Sequence, residues 1–179
     1  KNQDCHPDIV SFGKMLTGGY LTFAATLTAK KISNSFLGKF SDGKHLFHGH
    51  TYTGNPIAAS LSLENIKLYE KTKLIQKIQK TSKVFENRVN EFYELEQVGD
   101  VRQKGMLMGV ELIINNNSIK TKKSINKIVF DEGKKHNMFF RTLGNVVMLV
   151  PPLAISNKEI NFLVDGALKT IKGISKSLK

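Results

Sequence analysis

Apolar residues fall along the chain in short runs and helical stripes that predict a mixture of strands and helices. Ile9–Phe12, after Pro7, and residues 22–28, after the Gly18-Gly19 pair, are runs of β-branched and small apolar residues that read as buried strands. Residues 29–36 are a short helix candidate, and residues 38–44 a polar, glycine-containing loop. Asn55-Pro56 marks a helix start, asparagine as N-cap and proline in the first turn, with the helix running to about residue 71. Leu74, Ile78, Phe85, Val89 and Phe92 then share one stripe, which predicts a single long amphipathic helix. Strands at residues 98–102 and 107–114 flank Gly105, residues 115–118 form a polar turn, and a helix follows at about 123–136. Residues 139–141 and 146–150 read as strands around a turn at Gly144. Ser156 with Glu159 is a capping box opening a last helix, whose buried face is Ile160, Leu163, Ala167, Leu168 and Ile171. No repeat or low-complexity linker intervenes, so the fold class is α/β or α+β. The expected seam lies between two helices, near residues 71–74.

Composition narrows the setting. With 179 residues and 40% apolar side chains the chain carries enough for a real core. Cys5 is its only cysteine, which rules out a disulfide framework or a multi-cysteine metal site and suits a reducing, cytoplasmic compartment. The longest uncharged stretch, residues 15–29, is interrupted by threonines and glycines, so no membrane span is expected. The chain begins with Lys1 rather than Met, and a preceding segment is expected to be missing. A net charge of +12 invites a nucleic-acid reading, but all 27 basic residues except Arg88, Arg102 and Arg141 are lysines. They are scattered, with small clusters only at residues 120–123 and 134–135. Phosphate and base recognition favours the arginine fork and a concentrated face, so no nucleic-acid partner is expected.

Three places carry chemistry. Lys14 follows a strand and a glycine and precedes Thr17-Gly18-Gly19; held in a tight, partly dry turn, its amine would be the nucleophile that Schiff-base chemistry requires. A plain surface lysine is the alternative. Residues 47–56, Phe-His-Gly-His-Thr-Tyr-Thr-Gly-Asn-Pro, gather hydroxyls and glycines before a helix N-terminus, which suits a phosphate. Two rivals are an ordered turn held by its own hydrogen bonds and a metal bound by His45, His48 and His50, the latter weakened because Asp42 is the nearest carboxylate. Arg141, flanked by apolar residues, must meet an anion, either an internal carboxylate or that of a substrate.

Taken in order, Pro7-Asp8-Ile9, Phe12-Gly13-Lys14 with Thr17-Gly18-Gly19, His48-Gly49-His50-Thr51 with Gly54-Asn55-Pro56, then Arg141 and Pro151-Pro152-Leu153 resemble class III aminotransferases. Within that class, residues 16–28 and the Arg141-Thr142-Leu143-Gly144 turn are most similar to its biotin-pathway branch; ornithine- and 4-aminobutyrate-type members more often have a third glycine after the Gly-Gly pair and a glycine at Thr53. The resemblance implies the C-terminal part of a fold type I transferase dependent on pyridoxal 5′-phosphate. Residues 1–71 would end its cofactor-binding large domain, and residues 72–179 would form an α+β small domain. It implies Lys14 as the lysine of the internal aldimine, His50 beside the cofactor and Thr51 on its phosphate across a homodimer interface. Gly49 and Arg141 would meet the substrates, an amino donor and a carboxylate-bearing keto acceptor; no metal is implied. Two departures stand out: Thr142 replaces a common proline, expected to loosen the turn presenting Arg141, and Met148 replaces a tyrosine of some members.

Overall fold

The computed structural model describes residues 6–114, 117–118 and 124–174. The chain organises into two units, Lys1–Thr72 and Lys73–Lys179.

In the first unit, β1 (Ile9–Phe12) pairs antiparallel with β2 (Ala25–Thr28), Ile9 opposite Thr28 and Phe12 opposite Ala25. The extended backbone matches the residue types, but burial does not follow: Ile9 and Leu27 are 57% and 60% exposed. β-branched residues select the strand, whereas burying it takes a further layer that a two-stranded ribbon does not supply by itself. Residues 22–24 stay outside the ladder. The expected helix at 29–36 is α1 (Lys30–Ser33) running into a 3-10 turn, Asn34–Phe36, and a second 3-10 turn, Phe40–Asp42, lies in the polar loop. α2 (Pro56–Lys71) starts where the Asn-Pro pair predicts.

The second unit opens with α3 (Leu74–Asn87) and α4 (Val89–Tyr93) in place of one long helix. Next come β3 (Val98–Lys104), β4 (Leu107–Ile114), β5 (Asn117–Ser118), α5 (Ile125–Lys134), β6 (Arg141–Leu143), β7 (Val146–Leu149) and α6 (Asn157–Ile174). All strand pairs are antiparallel, in the order β3-β4-β7-β6 with β5 on β4. Thus Asn117-Ser118, expected in a loop, form a short rung; residues 115–116 of that loop and the expected helix start at residue 123 lie outside the described residues. The strand expected at 139–141 begins only at Arg141.

One sheet face is apolar, with Met108, Val110, Leu112, Val147 and Leu149 essentially inaccessible. Phe85, Phe92, Val129, Ile160, Val164 and Ile171 of the helices complete the same cluster, each such side chain contributing about 1.5–3 kcal/mol of transfer free energy. On β3 the two buried valines, Val98 and Val101, are three apart rather than two. The register slips between Val98 and Asp100, so Gly99 is the extra residue of a bulge that restores the inward direction. Its lack of a side chain is required there, since a Cβ would come within 2.6 Å of Ile113 Cγ2.

Arg88 divides the predicted long helix. Its backbone leaves helical geometry (φ −104°, ψ 1°), while its guanidinium donates to Glu91 at 2.7 and 2.6 Å, to Asp165 at 2.6 Å and to the Asn161 carbonyl at 3.1 Å. The apolar stripe survives the break, because Phe85 and Phe92 are both fully buried. These hydrogen bonds hold the Glu91 carboxyl below the ordinary carboxylate value. A depressed carboxylate pKa contributes stability above its unfolded value and loses it as the pH falls through the folded one. In the full-length protein, Arg88→Leu is therefore expected to cost about 1–2 kcal/mol at neutral pH, reduced from the fully buried case by the exposure of its partners. In urea unfolding, the difference from wild type should shrink as the pH falls below the ordinary 4.5 of Glu91; a pH-independent difference would refute the pairing as its cause.

Candidate active site

The chain leaves β1 through Gly13 and turns sharply at Lys14, whose φ of +48° lies in the left-handed region that non-glycine residues seldom adopt. Such a conformation costs about 1–2 kcal/mol and persists where neighbouring contacts over-determine it. Lys14 begins a 3-10 turn, Lys14–Thr17, closed by Gly18 at φ +62°. Thr17 is buried and donates its hydroxyl to the Leu21 carbonyl at 2.5 Å. From α2, Asn65 Nδ2 donates to the Met15 carbonyl at 2.7 Å and to that of Leu16 at 3.2 Å, and Tyr69 Oη donates to Met15 at 2.9 Å. The sequence reading missed both side chains; an asparagine and a tyrosine one turn apart carry no local signal for a partner some fifty residues back.

Lys14 and His50 line one cavity of about 920 Å³, together with Phe23, His48, Thr53 and Asn55. Lys14 itself is exposed, so these residues do not provide the partly dry turn expected for its amine. Gly49 and Thr51, on either side of His50, are not among the lining residues.

The histidine segment is an ordered turn held by its own hydrogen bonds. Thr53 Oγ1 accepts from the His50 amide at 2.9 Å, His50 Nδ1 from the Tyr52 amide at 3.1 Å, and the His50 carbonyl from the Thr53 amide at 2.9 Å. Asn55 Oδ1 takes the amides of Ile57 and Ala58 at 3.0 and 3.2 Å, the capping its position predicts. Most N–H groups expected to face a phosphate are thus already used. Thr51 is exposed, and like the Gly49 and Gly54 amides its amide has no partner among the described residues, nor has its hydroxyl. His45 packs against the rings of Phe40 and Phe47, centroids 4.9 and 5.6 Å away, and among the described residues no three His, Cys, Asp or Glu side chains gather as metal ligands.

In the second unit Arg141 opens β6 at the edge of the sheet, opposite Met148. Both line a depression of about 630 Å³ with Pro151, Pro152 and Phe162. Glu159, its acidic lining residue, is committed to Ser156, accepting from the amide at 2.8 Å and the hydroxyl at 2.6 Å, which hold its carboxyl below the usual range. The three arginines therefore differ. Arg88 is paired with Glu91 and Asp165, and Arg102 with Asp100 and Glu111, but among the described residues no carboxylate pairs with Arg141. Nor is the turn beside it loosened by the missing proline. The Thr142 amide donates to Asn126 Oδ1 of α5 at 2.9 Å, a bond that a proline could not make.

An amine held in a strained turn on an open cavity is the kind of group that would hold a carbonyl compound. The chain belongs to the class-III aminotransferase family, whose model matches residues 1–171. Enzymes of that family use pyridoxal 5′-phosphate. The chain is 43% identical over 175 residues to the adenosylmethionine-8-amino-7-oxononanoate aminotransferase of Staphylococcus aureus, covering 97% of this chain and 38% of that protein. The crystal structure of the enzyme of that name from Methanocaldococcus jannaschii superposes with a TM-score of 0.88 at 42% identity, covering 94% of this chain and 39% of the other. A probable gamma-aminobutyrate transaminase 3 of Oryza sativa is more distant, 27% identical over 164 residues, 90% of this chain and 32% of that protein. The chain thus spans between about a third and two fifths of the length of these relatives. Among the described residues no helix is long and apolar enough to cross a membrane.

The capping arrangement gives a direct test of the turn beside the cavity. Asn55→Ala in the full-length protein is expected to cost about 1 kcal/mol and to speed hydrogen exchange at the Ile57 and Ala58 amides, whereas Asn55→Gly should cost only a few tenths. Equal losses for the two substitutions would show that the cap is not what holds the helix start.

Proposed function

We propose that this chain is the lysine-bearing C-terminal portion of a transaminase that converts 8-amino-7-oxononanoate to 7,8-diaminononanoate in biotin formation. On this reading residues 1–71 end the cofactor-binding large domain and residues 72–179 form the small domain. The observation that carries it is the amine of Lys14, held in a left-handed turn on a roomy cavity beside His50. The substrate class draws support from relatives near 43% identity that bear this name, against 27% for the aminobutyrate type. An ornithine- or aminobutyrate-type ω-aminotransferase is the rival, which a panel of keto acceptors separates.

Pyridoxal 5′-phosphate, when bound, supplies the electron sink that lets an amino-bearing carbon lose a proton. Lys14 Nζ would hold the cofactor, and as a free amine it would take the proton from the amino-bearing carbon and return it to the carbon on the other side of the substrate nitrogen. Its strained backbone keeps the amine aimed at the cavity before substrate arrives. Thr51 offers its free hydroxyl and amide to a phosphate. As in the class it resembles, Thr51 serves the cofactor phosphate of a second copy in a homodimer, with Gly49 and His50 beside it in sequence. Arg141 clamps the distal carboxylate of the acceptor bidentately, and the apolar wall of Met148, Phe162 and the two prolines suits the hydrocarbon chain. Adenosylmethionine is the amino donor, as in the names of the relatives, and the enzyme works in the cytoplasm, in keeping with its cysteine usage.

Borohydride reduction of the cofactor-loaded, full-length protein should attach the pyridoxyl group to Lys14 in peptide mapping; a label on any other lysine overturns the assignment. Arg141→Lys should raise the acceptor KM about tenfold or more by losing the bidentate fork, with a smaller effect on the half-reaction with the donor. Equal damage to both half-reactions with a lowered melting temperature would make Arg141 a structural residue instead.

A further inference from the structure

The carbonyl oxygen of Met15 receives three donors: the Gly18 amide at 3.2 Å within its own turn, Asn65 Nδ2 at 2.7 Å and Tyr69 Oη at 2.9 Å. One of these is the ordinary bond of a 3-10 turn. The other two come from half-buried side chains of α2, four residues apart on one helix face and converging on the carbonyl of the residue that follows Lys14. Asn65 also reaches the Leu16 carbonyl, so two successive carbonyls of the turn are tied to the helix. Gly18 makes room for this approach, since a Cβ there would lie 3.3 Å from Asn65 Oδ1.

We infer that Asn65 and Tyr69 are positioning residues for Lys14, clamping the Met15 carbonyl so that the strained turn keeps the lysine amine aimed into its cavity. The inference rests on the reading of Lys14 as the cofactor-bearing lysine. A φ of +48° is unfavourable for lysine, and freed of its restraints the backbone would relax to negative φ and swing the side chain elsewhere. The four-carbon stem is too flexible to aim Nζ by itself, so its direction is set where the backbone leaves β1. A helix that merely packed against the turn would need apolar contact, not two donors on an oxygen already bonded within its turn. Tyr69 keeps its ring in Tyr69→Phe, which isolates the hydroxyl.

The test uses the full-length protein with two readouts. Hydrogen exchange in the cofactor-free protein follows the Leu16 and Gly18 amides. In the loaded protein, the pH midpoint of the cofactor's visible absorption reports the protonation at Lys14 Nζ. Tyr69→Phe and Asn65→Asp are each expected to speed exchange at these amides roughly fivefold, the loss of one hydrogen bond, and to displace the absorption midpoint. Tyr93→Phe, which removes a hydroxyl bonded to Asp100 and the Val101 amide in the other unit, should alter neither and controls for general destabilisation. Exchange no faster than in Tyr93→Phe overturns the inference, as does faster exchange with an unmoved midpoint while borohydride still labels Lys14. A borohydride label away from Lys14 in the unsubstituted protein removes the proposed function and this inference with it, and is seen before any substitution is made.

Discussion

Lys14 stands in a backbone conformation it would not choose, and the first unit is arranged so that it has no alternative. Gly18 closes the turn with a positive φ, and buried Thr17 ties the turn to Leu21. α2 adds the remaining restraint through Asn65 and Tyr69. The same helix starts at the Asn55 cap, so α2 has the histidine turn at its N-terminus and the Lys14 turn against its side.

The second unit solves a different problem. Its helices and the inner face of its antiparallel sheet bury one apolar cluster, while the outer face and the sheet edge stay open. Arg141 belongs to the edge strand, where backbone amides that face no neighbouring strand need partners; Asn126 supplies one to Thr142. A charged side chain can then stand free on a rigid rung. Arg88 and Arg102 are both paired with carboxylates, while among the described residues Arg141 is not.

The net charge of +12 plays no visible part in either arrangement. Several of the lysines sit in exposed pairs with nearby acids, such as Lys67 with Glu64 and Lys127 with Asp131, which contribute little to stability in water. Family membership agrees with that reading.

Much of this was legible in the sequence, wherever the determining interaction is local. Helix starts at Asn55-Pro56 and Ser156 depend on side chains within three residues, and strand identity at Ile9–Phe12, β3 and β4 follows from β-branched runs. Family membership was readable for the same reason, from short fixed spacings around Lys14, Thr51 and Arg141. Tertiary structure decided what depends on partners far along the chain. It broke the long helix at Arg88, whose carboxylate Asp165 lies 77 residues away; it left β1 and β2 exposed; it shifted β3 by a bulge at Gly99; and it brought Asn65 and Tyr69 to the turn of Lys14. Periodicity records which face of an element is apolar, but which donor meets which acceptor across fifty residues is set only when the chain closes on itself.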